Sequence, residues 1–301
     1  MSIIGHTKER EFLQRVAASA APARNASRND AGGPAQAYIF SGPDKIGKFL
    51  IAEEFADALA EKSSIDISVI EPEQEERDGV TKERVIPVEA IRELKQFLSS
   101  YPSRGKFRIG IIRDAHRLAE GAQNALLKTL EDPADSAIVI LITHEPGRIL
   151  DTVKSRSQRV SFEPVAEEAI ASGMKDLFPK GTSVESFFFS LGRPGLLIEA
   201  QRDMKAFEKK KIILRQLFRL ASLPVSERLA LSEQFGKNVP QAIELCEWYL
   251  LGAREQLKKN GDAESVREKL SFLGRMNRVL DTLKTTQANP RLAFDTLFLS
   301  V

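Results

Sequence analysis

Residues 40–50 have the types and spacing that can bind a phosphate group. Their sequence, FSGPDKIGKFL, places Gly42, Gly47 and Lys48 in the pattern G-x-x-x-x-G-K-[ST]. In such a loop, backbone N–H groups at the start of a helix point at the anion, and the lysine reaches the outer phosphates. The next residue is Phe49, which lacks the hydroxyl that would bind magnesium. The sequence therefore predicts a degenerate phosphate loop that has lost one metal ligand.

A second change in the same chemistry lies in the segment IGIIRDAHRL. Asp114 stands where a magnesium-nucleotide site has its acidic residue, but Ala115 replaces the glutamate that would polarise the attacking water. We do not expect a site that has lost both a metal ligand and its base to hydrolyse ATP. A chance match of the glycine pattern is the alternative, which the strand–loop–helix context disfavours.

The elements that must position these residues alternate between strand and helix from residue 37 to about residue 162. Apolar runs predict five strands, in AYIFSG, DISVIEP, FRIGIIRDA, AIVILITH and QRVSF. Helical spacing of apolar residues predicts helices between them, among them KFLIAEEFADALAE, PVEAIRELKQFLSS and GAQNALLKTLEDP. This alternation predicts an α/β domain with a parallel five-stranded sheet wrapped by helices. The charged residues 71–85 are predicted to form a surface connection.

Beyond Pro164 the pattern indicates helices alone. Long amphipathic segments such as KIILRQLFRLASL and VREKLSFLGRMNRVLDTLK predict an all-α region. Within it, apolar residues recur three and four positions apart at Leu273, Met276, Leu280 and Leu283. That spacing is typical of a helical-bundle core, with a groove for a partner as the alternative.

Composition excludes several classes of protein. The chain of 301 residues has 44 basic and 42 acidic side chains, so its overall charge does not indicate nucleic-acid binding. No apolar run approaches the length of about 18 residues that spans a membrane. The amino-terminal segment is charged where a secretory signal is apolar, so we expect a cytoplasmic protein without membrane contact. The single cysteine, Cys246, excludes an internal disulfide, and the scattered histidines (His6, His116 and His144) predict no metal site.

Four segments carry a resemblance to a known family: AYIFSGPDKIGK, RIGIIRDAHRLAEGAQNALLKTLEDP, ILITHEPGRILDTVKSRSQRVSF and NPRLAFDTLFL. They resemble the clamp-loader AAA+ family of the replicative DNA polymerase III. The resemblance implies an α/β P-loop (AAA+) domain in residues 1–163, a small helical lid in residues 164–204 and an all-α collar in residues 205–301. It also implies partners, namely tau/gamma ATPase subunits and a delta subunit in a five-subunit ring. That ring places the sliding clamp on primed DNA.

The resemblance assigns a role to Arg156 in the segment SRS. The family has Ser-Arg-Cys here, and its arginine reaches the ATP of a neighbouring subunit. Arg156 is therefore the candidate for an arginine finger supplied in trans, with a surface arginine in an ordinary salt bridge as the alternative. Thr143 takes the sensor-one position, and Gly195 stands where ATP-binding relatives have a sensing arginine.

The resemblance further implies that this chain binds no cofactor. The four-cysteine zinc module of many relatives is absent from ADALAEKSSIDIS, and ATP is expected on neighbouring subunits. Two functions stay open: a non-hydrolysing stator that supplies Arg156, and a divergent tau/gamma-like ATPase that uses another magnesium ligand. Direct DNA binding through Lys209, Lys210 and Lys211 is a third interpretation, for which a solvated helix face is the simpler explanation.

Overall fold

A computed structural model of the chain describes residues 3–20, 33–77, 80–83, 85–174, 190–259, 263–286 and 288–301. The chain falls into two compact units. The first comprises Met1–Gly181 with Gly192–Gly195, and the second comprises Thr182–Leu191 with Leu196–Val301. The finer division into residues 1–163, 164–204 and 205–301 stays a prediction.

The first unit is built on a parallel sheet of five strands, as the sequence predicts. The strands described along the chain are β1 (Ala37–Ser41), β2 (Ile67–Ile70), β3 (Gln74–Arg77), β4 (Val80–Glu83), β5 (Arg108–Ile112), β6 (Ala137–Thr143) and β7 (Gln158–Ser161). The five-stranded sheet has the order β2-β5-β6-β1-β7, and its neighbouring strands are all parallel. Every residue of β6 is buried, which explains why its first six residues, Ala137 to Ile142, are all apolar.

Helices cover both faces of this sheet. The helices of the first unit are α1 (Thr7–Ser19), α2 (Lys48–Leu59), α3 (Val88–Leu98), α4 (Glu120–Glu131), α5 (Asp151–Ser155) and α6 (Glu167–Gly173). Successive residues of a strand point to opposite faces, and those of β1 enter two separate cores. Tyr38 and Phe40 pack into the core that contains residues of α1 and α2. Ala37 and Ile39 pack into the core that contains residues of α3 and α4.

The connection between β2 and α3 differs from the prediction of a plain surface loop. Within residues 71–85, β3 pairs with β4 as an antiparallel hairpin. Both four-residue strands consist mostly of charged or polar residues, so no apolar alternation reveals them. The Asp-Gly dipeptide between them in the sequence is a signal that could have found the hairpin.

A buried aspartate fixes the loop that precedes β5. The carboxylate of Asp66 accepts hydrogen bonds from the backbone N–H groups of Ser103, Arg104 and Gly105 at 2.6, 3.0 and 3.0 Å and from the hydroxyl of Ser63 at 2.7 Å. Burial alone would raise the pKa of Asp66, but these hydrogen bonds outweigh it and hold the pKa well below the ordinary 3.8. The carboxylate therefore stays ionised in the folded chain at neutral pH.

The second unit is helical, as predicted. Its helices are α7 (Pro194–Arg202), whose first two residues count with the first unit, α8 (Met204–Phe218), α9 (Val225–Lys237), α10 (Val239–Lys259), α11 (Ala263–Thr285) and α12 (Pro290–Leu299). The predicted core stripe of α11 is confirmed, since Leu273, Met276 and Leu280 are buried and Leu283 is half-buried. Cys246 is also buried.

The last helix, α12, is held at its start and along its length. The side-chain oxygen of Asn289 caps this helix by accepting hydrogen bonds from the backbone N–H groups of Arg291 and Leu292. The rings of Phe294 and Phe298 pack on the ring of Phe235 in α9. Their centroids lie 5.2 Å and 5.5 Å, respectively, from the centroid of Phe235. Among the helices of the described ranges, none is both long and apolar enough to cross a membrane.

Candidate functional site

The predicted phosphate loop joins β1 to α2, which is the context that the motif requires. Its two glycines are required by the backbone. Gly42 has a φ of +149°, and a Cβ at this position would collide with the backbone carbonyl of Phe162. Gly47 precedes α2 with a φ of +98°, in the left-handed region that other residues rarely adopt. The backbone of the loop therefore requires glycine at both positions.

The lysine of the loop is bound to the loop itself. Lys48 exposes only 5% of its surface, and its ammonium group donates hydrogen bonds to the carbonyl oxygens of Gly42, at 2.8 Å, and Pro43. Burial lowers the pKa of Lys48 to about 8, against the opposing effects of Asp44 and Asp114. These contacts give Lys48 a structural role in tying the loop, whether or not an anion is bound.

The residue that replaces the magnesium ligand is engaged in packing. Phe49 lies against the core that contains α1 and α2, and the guanidinium of Arg113 lies 4.4 Å from the centroid of its ring. A phenyl ring offers no oxygen to a metal ion. Ala115, at the position of the missing glutamate, is fully buried and has no group that could take a proton from water.

The turn before α7 packs directly on this loop. The N–H of Gly195 donates a hydrogen bond of 2.9 Å to the carbonyl oxygen of Lys45. A Cβ on Gly195 would lie 2.7 Å from that oxygen, which is closer than such atoms approach. The position where the resemblance implies a sensing arginine thus has no room for a side chain in this arrangement. The neighbouring Arg193 is buried and its charge acts on Lys48.

Polar residues meet at the carboxyl ends of β5 and β6. Asp114 follows β5 with a φ of +46°, and Thr143 ends β6 with its side chain buried. The hydroxyl oxygen of Thr143 accepts a hydrogen bond of 3.0 Å from the N–H of Glu145 and lies 3.3 Å from Nδ1 of His116. Thr143, for which the resemblance implies the sensor-one position, thus has a structural hydrogen-bonding role within this chain.

Two histidines, His116 and His144, also belong to this group. Their separation along the sequence does not predict that they meet. The rings of His116 and His144 have centroids 4.2 Å apart, and Nδ1 of His144 lies 3.8 Å from Oδ1 of Asp114. Burial, followed by the neighbouring His144, lowers the pKa of His116 to about 3. His116 follows the end of β5 and His144 follows the end of β6, and these two strands are neighbours in the sheet. Knowing the order of the strands would therefore have predicted that the two histidines lie close together.

Arg156 lies elsewhere, on an exposed turn between α5 and β7. Its Nη2 lies 3.1 Å from Oε1 of Glu131, and its Nη1 donates a hydrogen bond of 3.2 Å to the carbonyl oxygen of Thr152. Ser157, which stands in place of the family's cysteine, donates a hydrogen bond of 2.8 Å to the carbonyl oxygen of Val153. The structure therefore groups Gly42, Gly47 and Lys48 in one loop and presents Arg156 separately on the surface.

Comparison with known proteins gives consistent matches over about half of the chain. Residues 24–166 match the family described as DNA polymerase III, delta subunit. The chain is 37% identical over 155 residues to the tau subunit of DNA polymerase III from Bacillus subtilis, and the matched region covers 47% of this chain and 27% of that protein. It is 32% identical over 158 residues to the delta' subunit from Pseudomonas aeruginosa, which covers 45% of this chain and 46% of that protein. The matches thus span less than half of either relative.

Solved structures extend the likeness of the fold over nearly the whole chain. A DNA polymerase III gamma-subunit-related protein from Thermotoga maritima superposes with a TM-score of 0.54 at 20% identity, covering 97% of both chains. A RuvB variant from the same organism superposes with a TM-score of 0.53 at 17% identity, covering 83% of this chain and 88% of the other. At such identities the likeness shows the fold, which agrees with the predicted α/β domain and all-α carboxyl-terminal region.

Proposed function

We propose that this chain, which belongs to the clamp-loader family of bacterial DNA polymerase III, is a non-hydrolysing subunit of the delta' type. In this role the chain acts as a stator of the clamp loader. It holds its own P-loop domain in one shape, and it supplies Arg156 to the ATP site of a neighbouring subunit. Its location is the cytoplasm, where the replicative polymerase works.

The absence of ATP hydrolysis is supported by the chemistry of the degenerate loop. Phe49 replaces the magnesium-binding hydroxyl and packs into the core instead. Ala115 replaces the residue that would polarise the attacking water. Phosphoryl transfer depends on metal and water positioning more than on any other contribution of the protein, so these two replacements together argue against turnover. They are the observation that carries the proposal.

The retained glycines and lysine have an explanation that needs no nucleotide. Gly42 is required by the close approach of Phe162, and Lys48 ties the carbonyl groups of its own loop. The loop also accepts a hydrogen bond from the N–H of Gly195, at the position where ATP-binding relatives have a sensing arginine. A stator needs a fixed shape at this point, and these contacts supply it within the chain.

The exposed position of Arg156 supports its role as an arginine finger. A guanidinium presented to a neighbour can stabilise the negative charge that develops on a transferred phosphoryl group. Arg156 exposes 40% of its side chain and Glu131 exposes 48%, so the ion pair between them is of the weak, solvated kind. Such a pair can hold the arginine in place before docking and release it at little energetic expense.

The proposed partners follow from the names of the relatives and from the resemblance. They are tau/gamma ATPase subunits and a delta subunit, joined through the carboxyl-terminal helices as a collar. Sliding clamp and primed DNA are reached through the assembled complex. The role requires no cofactor held by this chain, because the ATP that Arg156 serves is bound by a neighbour.

A divergent ATPase of the tau/gamma type is the second candidate function. The identity of 37% to a tau subunit favours it, because that value exceeds the 32% identity to a delta' subunit. It requires that this chain bind magnesium through a ligand other than the lost hydroxyl.

ATP turnover by the purified chain separates the two functions. The stator predicts no phosphate release above background and no rise in Tm with Mg-ATP. The ATPase predicts release that the substitution Lys48→Ala abolishes. Activity that persists unchanged in Lys48→Ala comes from a contaminant, so this variant serves as the control. Turnover that depends on Lys48 would overturn the stator proposal.

A further inference from the structure

We propose that Asp114, His116 and His144 form a binding site for a transition-metal dication such as Zn²⁺. One ligand atom from each of these residues lies within 4.8 Å of the others. The proposal is independent of the clamp-loader role, and it adds a site that the sequence pattern did not predict.

The sheet brings these three residues to one place. Asp114 and His116 follow β5, and His144 follows β6, which is the parallel neighbour of β5. Because parallel strands present their carboxyl ends at the same edge, residues distant in sequence converge there. The site therefore rests on a buried, fully paired part of the sheet, which is the kind of support that fixes ligand positions.

The spacing of the ligand atoms is close to what a tetrahedral site needs. Nδ1 of His144 lies 3.8 Å from Oδ1 of Asp114. Bonds of about 2.1 Å to a tetrahedral zinc ion place neighbouring ligand atoms about 3.4 Å apart. Asp114 and His144 expose 29% and 30% of their side chains, so they can close the remaining gap and admit the ion from solvent.

The third ligand is held by a hydrogen-bonding partner. His116 is buried, and its Nδ1 lies 3.3 Å from the hydroxyl of Thr143. Metal-binding histidines commonly have such an outer partner, which fixes the orientation of the ring. Thr143 is in turn held by the N–H of Glu145, whose carboxylate lies 3.8 Å from Nε2 of His144. A second carboxylate next to the site adds negative charge that favours a dication.

The ligand set selects the kind of metal. Two imidazoles with one carboxylate suit Zn²⁺, Co²⁺ or Ni²⁺, whereas Mg²⁺ prefers an all-oxygen shell. Three protein ligands leave the fourth position for water or another small ligand. The proposed ion would thus stand close to Asp114, at the acidic position of the degenerate site, without restoring its magnesium chemistry.

Titration of the full, untagged chain with Co²⁺ tests this site, because a tetrahedral cobalt centre absorbs visible light. We expect a saturable spectrum at one equivalent, displaced by Zn²⁺ and unaffected by an excess of Mg²⁺. Zn²⁺ should also raise the Tm, since binding to the folded state stabilises it. Absence of a saturable spectrum in the folded wild-type chain would overturn the proposal.

Variants locate the ion. His144→Gln and Asp114→Asn each change a half-exposed side chain and are expected to remove the one-equivalent spectrum while the chain stays folded by circular dichroism. The matched control is His6→Gln, which changes the remaining histidine of the chain at a place where its Nε2 lies 3.1 Å from the carbonyl oxygen of Ile46. A spectrum that survives in both His144→Gln and Asp114→Asn would place the metal elsewhere and refute the assignment.

Discussion

Nη2 of Arg156 lies 3.1 Å from Oε1 of Glu131, and this ion pair joins the turn after α5 to the last residue of α4. The segment NALLKTLEDP thus supplies a partner for the arginine in the segment SRS. Within this chain, the pair holds the guanidinium of Arg156 next to the end of α4. The proposed arginine-finger role requires this pair to be weak, because Arg156 would have to exchange Glu131 for a phosphate group of the neighbour.

Substitution Glu131→Gln tests that hold. Because both side chains are well solvated, we expect the free energy of unfolding to change by less than about 1 kcal/mol. Denaturant titration measures this change. A loss above about 2 kcal/mol would indicate a structural ion pair and would support the salt-bridge interpretation of Arg156.

Glycine substitutions test the contact between the phosphate loop and the start of α7. Gly195→Ala is expected to cost about 1–3 kcal/mol, because its Cβ would meet the carbonyl oxygen of Lys45 at 2.7 Å. Gly121 provides a matched control, since it is also the second residue of a helix and has open space around the Cβ position. Gly121→Ala should leave the free energy of unfolding unchanged or raise it by up to about 1 kcal/mol. Equal effects of the two substitutions would contradict a tight contact at Gly195.

The buried carboxylate of Asp66 predicts a pH dependence of stability. Its pKa is lower in the folded chain than the ordinary 3.8, so its stabilising contribution is complete above that value and is lost as the pH falls below it. Asp66→Asn should lower the free energy of unfolding at pH 7 by about 2 kcal/mol, because charged hydrogen bonds to three N–H groups are weakened. The variant should also lose less stability than the wild type between about pH 4 and pH 2.

The exposed Asp151 serves as a control for Asp66. Its carboxylate pairs with Lys154 on the surface, and Asp151→Asn should leave the free energy of unfolding at pH 7 as in the wild type. If Asp66→Asn behaved like Asp151→Asn, the cluster of hydrogen bonds at Asp66 would not be the stabilising feature that the structure indicates.

Lys48 tests whether the degenerate loop takes part in ATP hydrolysis by the complex. We expect Lys48→Ala to leave the DNA-stimulated ATPase rate of the assembled complex within about two-fold of the wild type, because the lysine binds carbonyl groups of its own loop and a site without its metal ligand does no phosphoryl transfer. Size-exclusion chromatography of the variant complex provides the control for assembly. A large fall in rate with normal assembly would favour the divergent ATPase.

Apolar patterns along the sequence predicted the strands and helices whose side chains are buried in a core. The run AIVILI is apolar at every position because β6 is covered on both faces, and the strand–helix alternation is enough to predict the parallel sheet. The stripe of Leu273, Met276 and Leu280 likewise predicted a bundle core. In these cases the physical cause acts on residues close in sequence, so a periodic pattern records it.

Features that depend on distant residues were not predictable in the same way. His116 and His144 meet because β5 and β6 are neighbours, and nothing in the spacing of the two residues indicates this order. The collision that excludes a side chain at Gly195 depends on the backbone of Lys45, 150 positions away in the sequence. The roles of Arg156 and Thr143 came from a family resemblance, since neither residue type is distinctive by itself.

We propose that this chain supplies a positive charge to a neighbour's ATP and hydrolyses none itself. The most direct measurement is the DNA-stimulated ATPase rate of the reconstituted complex that carries Arg156→Ala. The matched control is Arg92→Ala, because Arg92 is an exposed arginine in an ordinary ion pair with Glu89. At a site served by an arginine finger the loss can reach about 10³-fold, and the total rate over all sites should fall several-fold. An unchanged rate with Arg156→Ala in a correctly assembled complex would contradict the claim.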